Sequence, residues 1–135
     1  MTVLEDELFA AADAIVTAFG NHDSLAYFDG FAIDATFVFY TAPLRLESRA
    51  AYESLWADWE SDHAFRVHGC ISTNRRVQAR ESVGIFMHDV QTEVEMDGLI
   101  DTIFERETIV FERRAGRWLA VHEHLSPRPE PRALL

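Results

Sequence analysis

The chain has 135 residues, enough for one domain with its own core, and at 48% hydrophobic and 26% charged it has an ordinary globular composition. Its formal charge of -11, from 23 acidic against 12 basic residues, repels phosphate backbones and anionic lipids, so neither nucleic acid nor membrane is expected as a partner. One cysteine, Cys70, excludes an internal disulfide framework, and with no apolar run of ~18 residues and no basic-then-apolar leader, a cytoplasmic protein is expected.

Thr2 and Glu5 have capping-box spacing, and Leu4, Leu8, Ala11, Ala12, Ile15 and Phe19 recur on one helical face. They predict an amphipathic helix over residues 3–19, stopped at Gly20 and Asn21. Asp23 caps a short second helix through Tyr27 and Phe28, ended by Gly30. Thr36–Tyr40 reads as a strand, broken by the loop at Thr41, Ala42 and Pro43. Ser48 then caps a third helix with Tyr52, Leu55, Trp56 and Trp59 on one face. Leu55 and Trp59 read as core; Tyr52 and Trp56 read equally as core or as cavity wall.

After Asp62 the pattern alternates, predicting strands near 65–79, 83–96, 99–113 and 117–126. Asp97-Gly98 is a strong two-residue hairpin signal, and Arg114, Ala115 and Gly116 suit a three-residue hairpin. Residues 127–135 read as an extended tail carrying three prolines. No linker, repeat or low-complexity segment divides residues 1–135, so they form one domain.

The two turns fix a register. The first pairs Met96 with Leu99, placing His88 opposite Glu107 and Asp89 opposite Arg106. The second pairs Arg113 with Arg117, placing Glu107 opposite Glu123 and Arg106 opposite His124. One face then carries His88, Glu107 and Glu123 with Phe86, Ile109 and Val121; the other carries Asp89, Arg106 and His124 with Met87, Thr108, His122 and Trp118. The second row alternates in sign and satisfies itself. The first sets two carboxylates against each other, which calls for a proton, a cation or His88 to compensate. Such a row could be a general acid/base set or a divalent-metal site, or its glutamates could simply ionise at a wet rim. No Cys-x-x-Cys, Gly-x-Gly-x-x-Gly, P-loop or His-Glu-x-x-His pattern occurs, and no cofactor or metal is expected.

Helices, one strand and then a long antiparallel sheet resemble the nuclear-transport-factor-2-like superfamily, with its SnoaL-like cyclases and ketosteroid isomerase. The most detailed likeness is to the association (hub) domain of calcium/calmodulin-dependent protein kinase II, over residues 48–126. Tyr52–Trp56 (YESLW) looks like its third-helix motif, Glu107–Trp118 (ETIVFERRAGRW) like its hairpin and Val121–Ser126 (VHEHLS) like its last strand. The resemblance implies a cone-shaped α+β fold: three N-terminal helices on a curved, mainly antiparallel sheet, enclosing a pocket on the His88 side. It also implies pairing of two copies through their sheets. The hub's carboxylate-holding positions fall on Ser48, His88, Ile109 and Leu125, and its pocket-mouth tryptophan on Trp56, so one possible cation is left. The isomerase's general base falls on Phe39 and its first-helix tyrosine on Ile15, so its mechanism does not carry over.

Two functions remain open. In one, the protein is an enzyme on a small, partly hydrophobic molecule, by isomerase, cyclase or dehydratase chemistry. His88, Glu107 and Glu123 would be catalytic, and Tyr40, Tyr52, Trp56, Phe86 and Ile109 would bind substrate. In the other it is a non-catalytic association module. Either way a homodimer is expected, with Arg106, Trp118, His122 and His124 at the contact.

Overall fold

A computed structural model describes residues 2–129. Helix α1 (Val3–Gly20) opens with both halves of the capping box, Glu5 N–H on Thr2 Oγ1 at 3.1 Å and Thr2 N–H on Glu5 Oε1 at 3.4 Å. Asp23 Oδ1 caps α2 (Ser24–Asp29) by accepting from Ala26 N–H, and Ser48 Oγ caps α3 (Arg49–His63) by accepting from Ala51 N–H. These three short polar side chains satisfy amide donors that a helix start leaves unpaired.

The strands are β1 (Phe31–Phe39), β2 (Arg66–Ala79), β3 (Val83–Met96), β4 (Leu99–Arg114) and β5 (Arg117–Pro127). They form one curved five-stranded sheet in the order β1-β5-β4-β3-β2, antiparallel except for the β1–β5 pair. The expected α+β class and three-helix order are what the structure shows. Strand β1 begins at Phe31, not at Thr36. Phe31 and Ala32 are both buried, Ile33 and Asp34 both exposed, and the register with β5 shifts between Phe31 and Thr36, so period two is lost there. The tail at 130–135 lies outside the described residues; before it, Arg128 N–H bonds Phe104 C=O at 3.1 Å and its guanidinium sits over the Phe104 ring.

All three helices cover one face of the sheet: α1 lies on β2, β3 and β5, α3 on β1, and α2 between α1 and β1. Leu8, Ala12 and Ile15 of α1 and Trp56 of α3 pack with Phe37, Phe86, Ile109 and Phe111 in one core. Gly84 makes the α1 contact possible, since a Cβ there would lie 2.4 Å from a Leu8 methyl.

The two hairpins differ. At Asp97-Gly98 both residues have positive φ, 53° and 79°, as a two-residue turn of the favoured hairpin hand requires. Pairing follows without a slip: Met96 with Leu99, Asp89 with Arg106, His88 with Glu107. The second turn is also two-residue, Ala115-Gly116 with φ of 50° and 78°, pairing Arg114 with Arg117. A three-residue turn is therefore incorrect. A bulge at Val121 then separates the Phe111–Ala120 and Val110–His122 pairs.

Two shifts of one residue change faces twice. Between turn and bulge, Trp118 crosses to the helix side, where it is 7% exposed and its indole N–H donates to Glu7 of α1 at 3.2 Å. Its expected place on the outer face is corrected by that turn. Beyond the bulge, Glu123 returns to the covered face but pairs with Ile109; Glu107 pairs with Leu125, Arg106 with Ser126 and His124 with Thr108. The expected direct oppositions of Glu107 with Glu123 and of Arg106 with His124 are thus displaced by two residues.

Candidate functional site

A cavity of about 240 Å³ lies between the covered sheet face and the helices. Ile15, Val16 and Phe19 of α1, Tyr27 of α2, and Tyr52 and Trp59 of α3 wall one side. The sheet supplies the polar groups: Cys70, His88, Thr92, Glu105, Glu107 and Glu123. Strand alternation accounts for this convergence. His88, Val90 and Thr92 point inward from β3, Glu105 and Glu107 from β4, and Glu123 from β5, each separated by an outward-facing neighbour.

His88 is the fixed point. It is 3% exposed, with Nδ1 2.6 Å from Ser72 Oγ and Nε2 2.6 Å from Glu107 Oε1, so both ring nitrogens are engaged. Burial alone would raise the Glu107 carboxyl, but hydrogen bonding from Glu123 and His88 outweighs it and holds Glu107 below the ordinary glutamate range. Glu123 goes the other way. Burial, then the charge of Glu107, pushes it well above its usual value, and its Oε1 has no hydrogen-bond partner. Two neighbouring carboxyls in a low-dielectric cavity cannot both ionise cheaply, so the couple favours sharing one proton, with Glu107 pushed towards ionisation and Glu123 away from it.

Burial also raises the other acids of the cavity. The Tyr27 and Tyr52 hydroxyls lie 3.0 Å apart, and burial pushes both well above the ordinary phenol range. Burial likewise raises the Cys70 thiol to about 11, which keeps it protonated and a poor nucleophile. Glu105 is also raised, by burial, although the Tyr40 hydroxyl donates to its Oε2 at 2.6 Å and opposes the shift. Among the described residues no group of three or more His, Cys, Asp or Glu is arranged to hold a metal ion.

His88, Glu107 and Glu123, the three residues expected to carry chemistry, do meet in this cavity. Of the five expected to bind substrate, Tyr52 lines it and Tyr40 reaches it through Glu105. Trp56, Phe86 and Ile109 do not: they are 2%, 0% and 0% exposed and packed into the core. Trp59, expected in the core, lines the cavity in place of Trp56. One turn of α3 separates the two rings, and residues 52, 56 and 59 do not point along exactly one line.

Glu105, Tyr27, Ser72 and Cys70 are site residues that the sequence pattern does not single out. Glu105 was within reach, two residues before Glu107 on the same strand face. Ser72 was not, because the β2–β3 connection is no tight two-residue turn and β2 has register shifts after Val67 and after Thr73. On the outer face, His122 Nδ1 lies 2.8 Å from Thr36 Oγ1, and Arg106 Nε lies 3.6 Å from an Asp89 carboxylate oxygen. No described helix is long and apolar enough to cross a membrane.

Residues 9–129 match the model of the SnoaL-like domain. No curated protein matches the chain. Several solved structures share its fold at low identity. A candidate Ca/calmodulin-dependent kinase II association domain from Exiguobacterium sibiricum 255-15 superposes with a TM-score of 0.76 at 13% identity, covering 92% of each chain. A ketosteroid isomerase-like protein from Erwinia carotovora atroseptica SCRI1043 gives 0.75 at 14% identity, over 96% of this chain and 100% of that one. A candidate dehydratase of the NTF2-like family from Streptomyces avermitilis gives 0.72 at 14% identity, over 93% and 96%.

Proposed function

The chain belongs to the SnoaL-like family of the nuclear-transport-factor-2-like superfamily, and from that premise we propose that its cavity binds a small, largely apolar molecule and moves a proton on it. The observation that carries this reading is the buried Glu107–Glu123 couple beside His88, whose two carboxyls are pushed in opposite directions, Glu107 towards the carboxylate and Glu123 towards the acid. A carboxylate and a carboxylic acid side by side are a base and an acid ready at the same pH. Glu107, ionised, accepts a proton from an activated C–H or O–H of the ligand. Glu123, protonated, donates to the oxygen on which charge develops or which leaves. His88, clamped by Ser72, holds the Glu107 carboxylate in place. Isomerisation, cyclisation and dehydration can each use such a pairing, and the ketosteroid isomerase-like protein and the candidate dehydratase share this fold.

Mass spectrometry of small molecules released from the purified protein would identify the ligand. Solvent deuterium is then expected to enter that ligand in the presence of the protein, and Glu107→Gln to slow the exchange by about 10²–10⁴-fold. Exchange unaffected by both Glu107→Gln and Glu123→Gln would remove the catalytic part of the proposal and leave binding.

A second reading concerns assembly. The outer sheet face exposes Ile71 (56%) and Phe104 (45%) on neighbouring parts of one surface, and a second copy packed sheet to sheet would cover them. Arg106, His122 and His124 share that face and would border the contact; Trp118 does not. A homodimer in light scattering that Phe104→Glu converts to monomer is expected, and a wild-type monomer at high concentration would reject it.

A further inference from the structure

The cavity is chemically one-sided. Glu105, Glu107 and Glu123 converge on it from β4 and β5, and among the described residues no arginine lines it. Opposite and around them stand Phe19, Tyr27, Phe39, Tyr52, Trp59 and Phe65. Carboxyl oxygens accept N–H bonds and aromatic faces attract positive charge, so together they favour an organic ammonium over any other small polar group. The sharpest sign is Glu123 Oε1. Its residue is 3% exposed, it lines the cavity, and nothing in the protein donates to that oxygen. A buried acceptor left open is costly unless a ligand completes it.

We propose that the cavity takes a small organic cation, a protonated amine on an aryl or alkyl body, and discriminates against carboxylates. This inference rests on the cavity being a ligand site and adds the charge of the ligand to that reading. At about 240 Å³ the space falls just below the roughly 300–1,000 Å³ of drug-sized sites, which fits a single ring with a short chain. The ammonium sits against Glu123 and Glu107, and the body lies between Trp59, Phe65 and Phe19.

Binding is coupled to a proton. In the empty cavity burial, and then the charge of Glu107, favour the protonated form of Glu123. An ammonium seated against Glu123 pairs with its carboxylate form, so a bound cation releases the Glu123 proton to solvent. With such a ligand Glu123 is a counter-ion, and its role as an acid applies to a neutral ligand. Affinity therefore rises with pH until Glu123 ionises in the empty protein and is level above that. The titratable groups facing Glu123 are Glu105 and Glu107 on β4, His88 on β3, Cys70 on β2, Tyr27 on α2 and Tyr52 on α3. Tyr27, Tyr52 and Cys70 are all raised and remain neutral throughout, and Glu107 is already ionised. Loss of a proton from Glu105, which burial also raises, would act with the same sign as Glu123, so both carboxyls are followed by NMR alongside.

Calorimetry with three probes of matched size tests this: phenethylamine, 2-phenylethanol and 3-phenylpropionate. Phenethylamine is expected to bind about tenfold or more tightly than the alcohol, with the carboxylate weakest. The amine's affinity should climb as pH rises above the ordinary glutamate range, and the alcohol's should not. Glu123→Gln should flatten that slope; if it does not fold, Glu105→Gln should still lower the amine preference, and the wild-type slope needs no variant. An alcohol or carboxylate that binds in the cavity as tightly as the amine overturns the cationic preference while leaving the cavity a ligand site. Failure of all three to move the His88 and Trp59 resonances counts against both.

Discussion

Two histidine–glutamate pairs bridge strands of the same sheet at nearly the same distance, His88–Glu107 at 2.6 Å and His68–Glu95 at 2.7 Å. The first faces the cavity, with side chains 1% and 14% exposed; the second meets solvent, at 30% and 29%. In water the outer pair gains little, because its Coulomb energy is divided by a high dielectric constant and screened by salt. Inside, the same pair is surrounded by apolar walls and a second carboxyl, so each proton affects its neighbours. Environment, more than residue identity, makes His88–Glu107 a candidate for chemistry and His68–Glu95 a surface contact.

The contrast breaks first at Glu107. Glu107→Ala leaves the buried His88 Nε2 without its hydrogen-bond partner and should cost about 1–3 kcal/mol in urea unfolding. A loss below ~1 kcal/mol would make the inner pair no different from the outer one.

Next comes Glu123. Its folded-state pKa is raised, so the folded protein binds the proton more tightly than the unfolded chain, and stability falls as pH rises from the unfolded glutamate value towards the folded one. Glu123→Gln should remove that decline. Glu107 has the opposite sign: its lowered value adds stability above the unfolded pKa, lost as pH falls through the folded one. Identical pH–stability curves for wild type and Glu123→Gln would contradict the split between the two carboxyls.

The smallest effect belongs to the outer pair. His68→Ala should cost about 0–1 kcal/mol, and the loss should fade in 1 M salt. The Glu107→Ala loss should be nearly insensitive to salt. A strong salt dependence of the inner pair would mean that water reaches it.

How far the site was legible in sequence follows from the two hairpins. Asp97-Gly98 tolerates positive φ at both positions, so the β3–β4 register could be counted residue by residue, and His88 against Glu107 came with it. Arg114-Ala115-Gly116 permits two turn lengths, and nothing local selects the two-residue form or marks Val121 as the bulge. Two slips of one residue leave face parity unchanged beyond the bulge, which is why Glu123 still faces the cavity although its partner is Ile109. Trp118 lies between the slips and changes sides. The helices were readable as elements from caps and periodicity, but their rotation was not. A modest rotation of α3 decides whether Trp56 or Trp59 meets the cavity, and that depends on how Phe31, Phe37 and Phe65 fill the space around it.

The central claim is that the Glu107 and Glu123 carboxyls titrate apart, Glu107 below and Glu123 above the ordinary glutamate range. Carbon-13 NMR of side-chain-labelled glutamate, titrated with each carboxyl assigned through its Gln variant, tests it most directly. The expected result is a Glu107 carboxylate ionised from below the ordinary glutamate range upward, with Glu123 titrating well above that range. Both groups titrating together near the unperturbed value of about 4.3 would contradict it.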